Sequence, residues 1–245
     1  MNVAILLSGG IGRRLGGDIP KQYIEVTGHP VIYYTMKNIL EAKSIDALVI
    51  VAEEVWENYI LNIYSEICKS ENMKELVFAL PGRNRQESII HGMKACEKFN
   101  QETTYVMVHD AVRPFLNSEM INDYFAQMSN ANTGEANDKC YEGLLPVLPM
   151  KDTVYLSNDG CGISSLIDRS KVFAGQAPEI FEYKKYLSAN LKLSDESLLK
   201  INGSTEPAVM AGMKILMVPG DEKNFKITTI EDLKRFESIV KGVED

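Results

Sequence analysis

The alternation of short apolar runs with longer amphipathic segments is the feature that most constrains how this 245-residue chain folds. Four runs rich in β-branched residues predict buried strands, at 3–7, 47–52, 76–80 and 105–108. The segments between them have apolar residues at helical spacing and predict covering helices, at 30–42, 53–68 and 87–98. Strands joined by crossover helices form βαβ units, so the sequence predicts an α/β fold with a mostly parallel sheet and helices on both faces.

The rest of the chain continues this pattern with one exception. The same signals predict a helix at 117–128, an exposed loop at 130–139, strands at 144–147 and 214–218, and a helix at 230–240. Thr228 and Glu231, three residues apart, predict a capping box at the start of the last helix. No linker composition interrupts the chain, which predicts a single domain over residues 1–245.

The exception is segment 151–173, which has the features of a β-hairpin. Residues 153–156 and 163–167 predict two strands, joined by a turn that contains Asp159 and Gly160. An isolated two-stranded hairpin is only marginally stable in water. We therefore expect this segment to be a β-arm that packs against a second copy of the chain.

The composition excludes several classes of protein. The chain has 26 Lys and Arg against 34 Asp and Glu, a net charge of −8, which is a poor balance for binding nucleic acid. Its four cysteines are widely spaced, without the C-x-x-C pairs of a zinc or redox site. The apolar run at the N-terminus is too short for a signal peptide or a membrane span. We therefore expect a cytoplasmic protein with no membrane partner.

A glycine-rich loop, Leu-Ser-Gly-Gly-Ile-Gly-Arg-Arg-Leu-Gly-Gly at 7–17, directly follows the first predicted strand. Glycines let backbone amides approach phosphate oxygens, so this loop is a candidate phosphate cradle. Arg14 and Lys21 lie close enough in sequence to reach one triphosphate, although each could instead be a solvated surface charge. The loop lacks the lysine of a P-loop, and Leu15 stands where the dinucleotide fingerprint has glycine. The loop therefore matches neither of these two familiar nucleotide-binding motifs.

A second candidate site is the carboxylate of Asp110, at the end of the fourth predicted strand. Open α/β sheets bind ligands at the carboxyl ends of their strands, and Mg²⁺ binds one or two carboxylates together with phosphate oxygens. Asp110 is therefore a candidate Mg²⁺ ligand. The alternative is a structural ion pair between Asp110 and Arg113, with His109 as a core histidine. The 82–88 loop and Lys226 carry weaker signals, because single surface cations are common.

Seven motifs in chain order resemble those of the cytidylyltransferases of the methylerythritol-phosphate and ribitol-phosphate type. They are the glycine loop with Arg14, Pro20-Lys21-Gln22, Gly82 with Arg85 and Ser88, the stretch 109–114, Asp152-Thr153, the stretch 176–181, and Lys226-Ile227-Thr228. The resemblance implies a Rossmann-like nucleotidyltransferase fold and a homodimer that exchanges the hairpin arm. It also implies transfer of CMP from CTP to a polyol phosphate, with Mg²⁺ as the cofactor and pyrophosphate as the second product.

The resemblance also implies roles for individual residues. The catalytic residues would be Arg14, Lys21 and Lys226, and Asp110 would hold the metal. Contacts to CTP are expected from a larger set, namely Ser8, Gly9, Gly10, Gly12, Gly82, Ser88 and Ala111. Thr153 and Arg169 would bind the acceptor.

The chain departs from the family pattern mainly in the acceptor half. Ala177 replaces the usual threonine, Glu179 replaces a glutamine, and residues 202–207 replace a T-D-[DE] segment. The acceptor therefore remains open between 2-C-methyl-D-erythritol 4-phosphate, of isoprenoid precursor synthesis, and D-ribitol 5-phosphate, of cell-surface polymer synthesis. Two other classes of function stay as alternatives: a nucleotide-binding regulatory or assembly protein without turnover, and an NAD-dependent oxidoreductase, which Leu15 disfavours.

Overall fold

The structure is a computed structural model that describes residues 1–10, 19–68, 73–133 and 140–242. Its strands in chain order are β1 (Asn2–Leu7), β2 (Glu25–Val26), β3 (His29–Pro30), β4 (Ala47–Val51), β5 (Glu75–Ala79), β6 (Tyr105–Asp110), β7 (Gly143–Pro149), β8 (Val154–Leu156), β9 (Ser165–Ile167), β10 (Phe173–Gly175), β11 (Glu179–Glu182) and β12 (Ile215–Pro219). Its α-helices are α1 (Val31–Glu41), α2 (Glu57–Ile67), α3 (Arg85–Ala95), α4 (Ser118–Thr133), α5 (Tyr183–Leu191), α6 (Asp195–Lys200), α7 (Glu206–Met210) and α8 (Ile230–Val240).

One eight-stranded sheet forms the centre of the described chain, in the order β10-β7-β11-β6-β1-β4-β5, with β12 beside β7. The half around β1 is parallel, because β1 pairs with β4 and β6, and β4 pairs with β5. The other half is mixed, since β11 lies antiparallel to both β6 and β7. The predicted α/β fold with a mostly parallel sheet is confirmed.

The core lies on both faces of this sheet, as the alternation along β1 requires. Ala4 and Leu6 point into one buried cluster, which includes apolar residues of α1, α2 and α4. Val3 and Ile5 point into a second cluster, which includes residues of α3 and α5. This two-sided burial explains why the strands read as continuous apolar runs, and it confirms the prediction of helices on both faces.

Several local predictions need correction. The last helix is capped one residue later than predicted, because the Thr229 side chain accepts a hydrogen bond from the backbone of Asp232 and Asp232 caps in return. The loop predicted at 130–139 begins later, since α4 continues to Thr133, and 134–139 lie outside the described residues. The sequence reading also missed β10, β11 and the helices α5 to α7.

The predicted hairpin is present as the pair of strands β8 and β9, which run antiparallel with Val154 opposite Ile167. It forms a small sheet of its own, separate from the central one.

In the part of the chain that the structure describes, none of the helices combines the length and hydropathy of a membrane span.

Candidate active site

A cavity of about 450 Å³ opens beside the carboxyl ends of β1 and β6. The sheet places it there because parallel neighbouring strands end at the same edge, as expected for open α/β sheets. Seven of the residues predicted for the site line this cavity: Gly9, Gly10, Lys21, Gly82, Ser88, Asp110 and Lys226. Gly12 and Arg14 lie outside the described residues.

The strand end that leads into the glycine loop is held close to the neighbouring loop. A Cβ added at Gly9 would lie 2.5 Å from the Cβ of Pro81, so a side chain there would force the two segments apart. Gln22 donates a 2.9 Å hydrogen bond to the carbonyl of Gly10 and also bonds the carbonyl of Ser8. The ammonium of Lys21 donates a 2.8 Å hydrogen bond to the carbonyl of Ile227, which holds the end of this side chain in place.

Three cations surround the carboxylate of Asp110. The Lys226 ammonium lies 3.0 Å from Oδ2, the Arg85 guanidinium 3.2 Å from Oδ1 and the Arg113 guanidinium 3.5 Å from Oδ2. Burial opposes ionisation of Asp110, but the charges of Arg85, Lys226 and Arg113 outweigh it and hold the pKa of this carboxyl well below its usual range. Asp110 is therefore an ionised carboxylate at the cavity wall. The ion pair with Arg113, which the sequence offered as an alternative to a metal site, is present as one of the three ion pairs that Asp110 forms.

His109 is a buried core histidine, as the alternative reading expected. Its ring is fully buried, Nε2 lies 3.2 Å from the carbonyl of Arg113, and Nδ1 has no hydrogen-bond partner. Burial lowers the pKa of His109 to about 4, so the ring is neutral near pH 7. It faces the core and does not line the cavity.

The opposite wall is the start of helix α3. The Asn84 side chain caps this helix by accepting a hydrogen bond from the backbone of Glu87. The N–H of Gly82 donates a 2.9 Å hydrogen bond to the hydroxyl of Ser88, which itself donates to the carbonyl of Asn84. A Cβ at Gly82 would lie 2.5 Å from the side chain of Glu87. The loop is thereby fixed against the helix, with Gly82 and Ser88 at the cavity wall.

The loop that carries Lys226 is held by residues that the sequence did not single out for this task. Gln176 makes two reciprocal 3.0 Å hydrogen bonds with the backbone of Asp221. The Asn224 side chain donates to the carbonyl of Ala177 at 2.7 Å, and Arg113 donates to the carbonyl of Asn224 at 2.7 Å. No short-range signal could have indicated these contacts, because they join segments about fifty to a hundred residues apart.

Two predicted nucleotide contacts lie behind the cavity wall. The N–H of Ala111 donates to the carbonyl of Leu7, and its carbonyl accepts a hydrogen bond from Thr35. Ser8 is buried, with its N–H bonded to Val51 and its hydroxyl 2.9 Å from that of Tyr23. The polar groups of both residues therefore bond within the protein.

The predicted acceptor residues are not brought to this cavity. Thr153 and Arg169 are exposed on the arm, and the described lining includes no residue of 151–173. The Arg169 guanidinium instead donates to the carbonyl of Lys151 at the base of the arm. Any acceptor contact from these residues would have to be made elsewhere than in the cavity of the same chain.

The acidic side chains of the site could hold a metal ion only if phosphate oxygens supplied further ligands. Among the described residues, no three His, Cys, Asp or Glu side chains cluster as a protein-only metal site would require. Asp110 offers one ionised carboxylate at the cavity wall. One carboxylate with phosphate oxygens and waters is a donor set that Mg²⁺ accepts, so the residues fit a nucleotide-bound Mg²⁺.

Comparison with known proteins agrees with this architecture. The family model described as IspD: 2-C-methyl-D-erythritol 4-phosphate cytidylyltransferase matches residues 2–242. A ribitol-5-phosphate cytidylyltransferase of Streptococcus agalactiae serotype III (strain NEM316) is 31% identical over 100% of this chain and 98% of its own. A 2-C-methyl-D-erythritol 4-phosphate cytidylyltransferase of Clostridium beijerinckii is 30% identical, covering 98% of each chain.

Solved structures support the fold independently. The crystal structure of 4-diphosphocytidyl-2C-methyl-D-erythritol synthase from Anaerococcus prevotii superimposes with a TM-score of 0.79, over 98% of this chain and 96% of that one, at 23% identity. The family match over almost the whole length and the relatives at about 30% identity decide the class of enzyme. The chain therefore belongs to the IspD family and is a CTP-dependent polyol-phosphate cytidylyltransferase.

Proposed function

We propose that the cavity binds the triphosphate of CTP and that the enzyme transfers CMP to one of two acceptors, 2-C-methyl-D-erythritol 4-phosphate or D-ribitol 5-phosphate. The observation that carries this proposal is the cation cluster. Lys21, Lys226 and Arg85 line one cavity in a chain of net charge −8. A concave site lined by cations attracts and orients an anionic ligand, and a strongly acidic chain needs such a cluster to bind one.

The proposed reaction needs charge stabilisation and alignment more than proton transfer. An oxygen of the acceptor phosphate attacks the α-phosphorus of CTP, and the bond from that phosphorus to the β-bridging oxygen breaks. Pyrophosphate leaves with the bonding electrons. Because the attacking oxygen is already anionic, the enzyme needs no general base, and its task is to hold two anions together. Lys21 and Lys226 supply positive charge at the cavity wall, and Arg14 is proposed to act beside them.

Asp110 is the residue proposed to hold Mg²⁺, together with the triphosphate. When bound, the ion would neutralise phosphate charge and polarise the oxygens of the leaving group. The chain's own contribution is an ionised carboxylate on the cavity wall, which also keeps the Lys226 ammonium within 3.0 Å. The glycine positions Gly9, Gly10 and Gly82 supply a surface that a nucleotide can approach closely.

The acceptor is proposed to bind between this cavity and the arm of a second copy in a homodimer. The arm presents several exposed apolar side chains, which water does not favour on a marginal hairpin: Tyr155, Leu156, Ile163, Leu166 and Phe173. Thr153 and Arg169 lie on the same arm but not at the cavity of their own chain. Exchange of arms would bring both residues to the partner's cavity, where Arg169 would meet the acceptor phosphate. Because the reaction consumes CTP, the proposed location is the cytoplasm.

The test is pyrophosphate release from CTP and Mg²⁺, with the two acceptors assayed in parallel. We expect turnover with one acceptor to exceed turnover with the other at equal concentration. Lys226→Met should lower kcat at least about a hundredfold, because it removes the cation beside the reacting phosphate. Lys223→Met, in the same loop but exposed, is the matched control and should behave as the wild type. Tight CTP binding without release of pyrophosphate from CTP in the presence of either acceptor would contradict the proposed acceptors.

A further inference from the structure

A single helical turn, Lys21–Tyr23, lies beside the start of the glycine loop. Its first residue, Lys21, lines the cavity. Its last residue, Tyr23, has its ring in the core and its hydroxyl 2.9 Å from that of Ser8. Gln22 lies between them and is only 3% exposed. The turn is therefore held by the core on one side and contacts the glycine loop on the other.

The amide of Gln22 holds two carbonyl groups of this loop. Its Nε2 donates to the carbonyl of Gly10 at 2.9 Å and also to the carbonyl of Ser8. An amide nitrogen carries two N–H donors, so one side chain can satisfy both carbonyls. The two peptide groups that begin with these carbonyls are therefore fixed by one residue, which lies 12 and 14 positions further along the chain.

The bond to the carbonyl of Ser8 also fixes the N–H of Gly9. The peptide between these residues is trans, so its carbonyl and its N–H lie in one plane and point in opposite directions. Because the carbonyl points to Gln22, the N–H of Gly9 points away from Gln22. Gly9 lines the cavity, and within the described residues no acceptor is bonded to this N–H. The N–H is therefore available to a ligand.

The same two bonds control where carbonyl oxygens point. A carbonyl oxygen carries a partial negative charge, so it would repel a phosphate if it faced the cavity. Glycine has no Cβ and therefore gives its neighbouring peptide groups little preference of orientation. Gly9 and Gly10 leave the loop open to a close approach, but they do not by themselves select which side of each peptide faces the cavity. The amide of Gln22 supplies that selection.

We propose that Gln22 is a positioning residue of the enzyme: its amide orients the first peptide groups of the glycine loop, so that the N–H of Gly9 donates to a triphosphate and the carbonyl oxygens of Ser8 and Gly10 are turned from it. Both N–H groups of the Gln22 amide are used by the loop, so Gln22 acts through the backbone. This inference rests on the proposed binding of the CTP triphosphate in the cavity.

The experiment compares Gln22→Met and Gln22→Glu in the full-length enzyme. Methionine is similar in length and has no N–H, whereas an ionised glutamate keeps the shape of glutamine and only accepts hydrogen bonds. The matched control is Gln86→Met. Gln86 is also buried, and its Nε2 also donates to two acceptors, the hydroxyl of Tyr186 and the side chain of Asn190. It is not among the described residues that line the cavity.

We expect both substitutions at Gln22 to weaken CTP binding about tenfold or more in calorimetry with Mg²⁺, because a hydrogen bond to a charged phosphate is lost. Inorganic triphosphate, which has neither base nor sugar, should lose affinity by a similar factor. Gln86→Met should bind both ligands as the wild type does. The melting temperature should fall by similar amounts in Gln22→Met and Gln86→Met, because each substitution removes a donor shared by two acceptors.

Three results would overturn the proposal. They are CTP affinities of both Gln22 variants close to that of the wild type, an equal loss of affinity in Gln86→Met, and a loss for CTP without a loss for inorganic triphosphate. Crystals of Gln22→Met give a separate reading, because the carbonyl of Ser8 should no longer point to residue 22. A wild type that binds no CTP would count against the proposed function, whereas a wild type that binds CTP no better than the Gln22 variants would count against the role of Gln22.

Discussion

Replacing Asp110 with asparagine tests the central ion-pair cluster most directly. The substitution removes one negative charge and leaves Arg85, Arg113 and Lys226 facing one another within a small volume. At an effective dielectric constant of 20, each pair at these distances attracts by about 5 kcal/mol before the opposing loss of hydration. Breaking a buried ion pair by removing one partner destabilises proteins by roughly 3–5 kcal/mol.

The lower end of that range applies here. Arg85 and Lys226 keep 35% of their side-chain surfaces in water, which screens the charges left behind. We therefore expect Asp110→Asn to lower the free energy of unfolding by about 3 kcal/mol. In a chain of this length, that corresponds to a decrease of roughly 6 °C in the melting temperature. We also expect kcat to fall by about tenfold or more, because Lys226 loses the carboxylate that orients it.

The measurement is thermal and urea unfolding followed by circular dichroism, with pyrophosphate release assayed on the same preparations. Asp123→Asn on the exposed face of α4 is the matched control, and it should change stability by about 0.5 kcal/mol or less. A melting temperature for Asp110→Asn within about 2 °C of the wild type would refute the argument that this carboxylate balances three cations.

Four further outcomes are expected. Lys21→Met should lower kcat/KM for CTP by roughly a hundredfold with little change in melting temperature, measured by pyrophosphate release. Leu166→Asp on the arm should convert a dimer to a monomer in sedimentation; a wild type that is already monomeric would contradict the arm proposal. Chelation with EDTA should abolish turnover, and added Mg²⁺ should restore it. Because burial lowers the pKa of His109 to about 4 from an unfolded value near 6.5, stability should fall as pH drops from about 6.5 to 4, and His109→Asn should reduce this slope.

The sequence was sufficient for the fold class and for much of the cavity wall. Buried parallel strands require apolar side chains on both faces, so β1, β4, β5 and β6 can be recognised in the sequence as continuous apolar runs. Because such strands end at a common edge, the glycine loop after β1 and Asp110 at the end of β6 could be predicted to meet. The motifs in chain order then indicated the family.

The antiparallel half of the sheet was beyond the reach of local patterns. Strand β11 has only four residues and β10 only three, too few for periodicity to distinguish them from loops. Their place is fixed by pairing with strands that are distant in the chain. Strand β10 pairs with β7, more than twenty residues earlier, and β11 pairs with β6, more than seventy residues earlier. The capping box was missed by one residue because Thr228 and Thr229 offer two equivalent starting points for the same motif.

By itself the sequence determined which residue types reach the ligand edge of the sheet, since the ends of the strands and the alternation of their side chains follow from local apolar patterns. Only the tertiary structure decided how their charges are compensated. Arg85, Arg113 and Lys226 come from three separate segments to one carboxylate. Electrostatic interactions depend on distance in space and on burial, and neither is encoded in the spacing of residues along the chain.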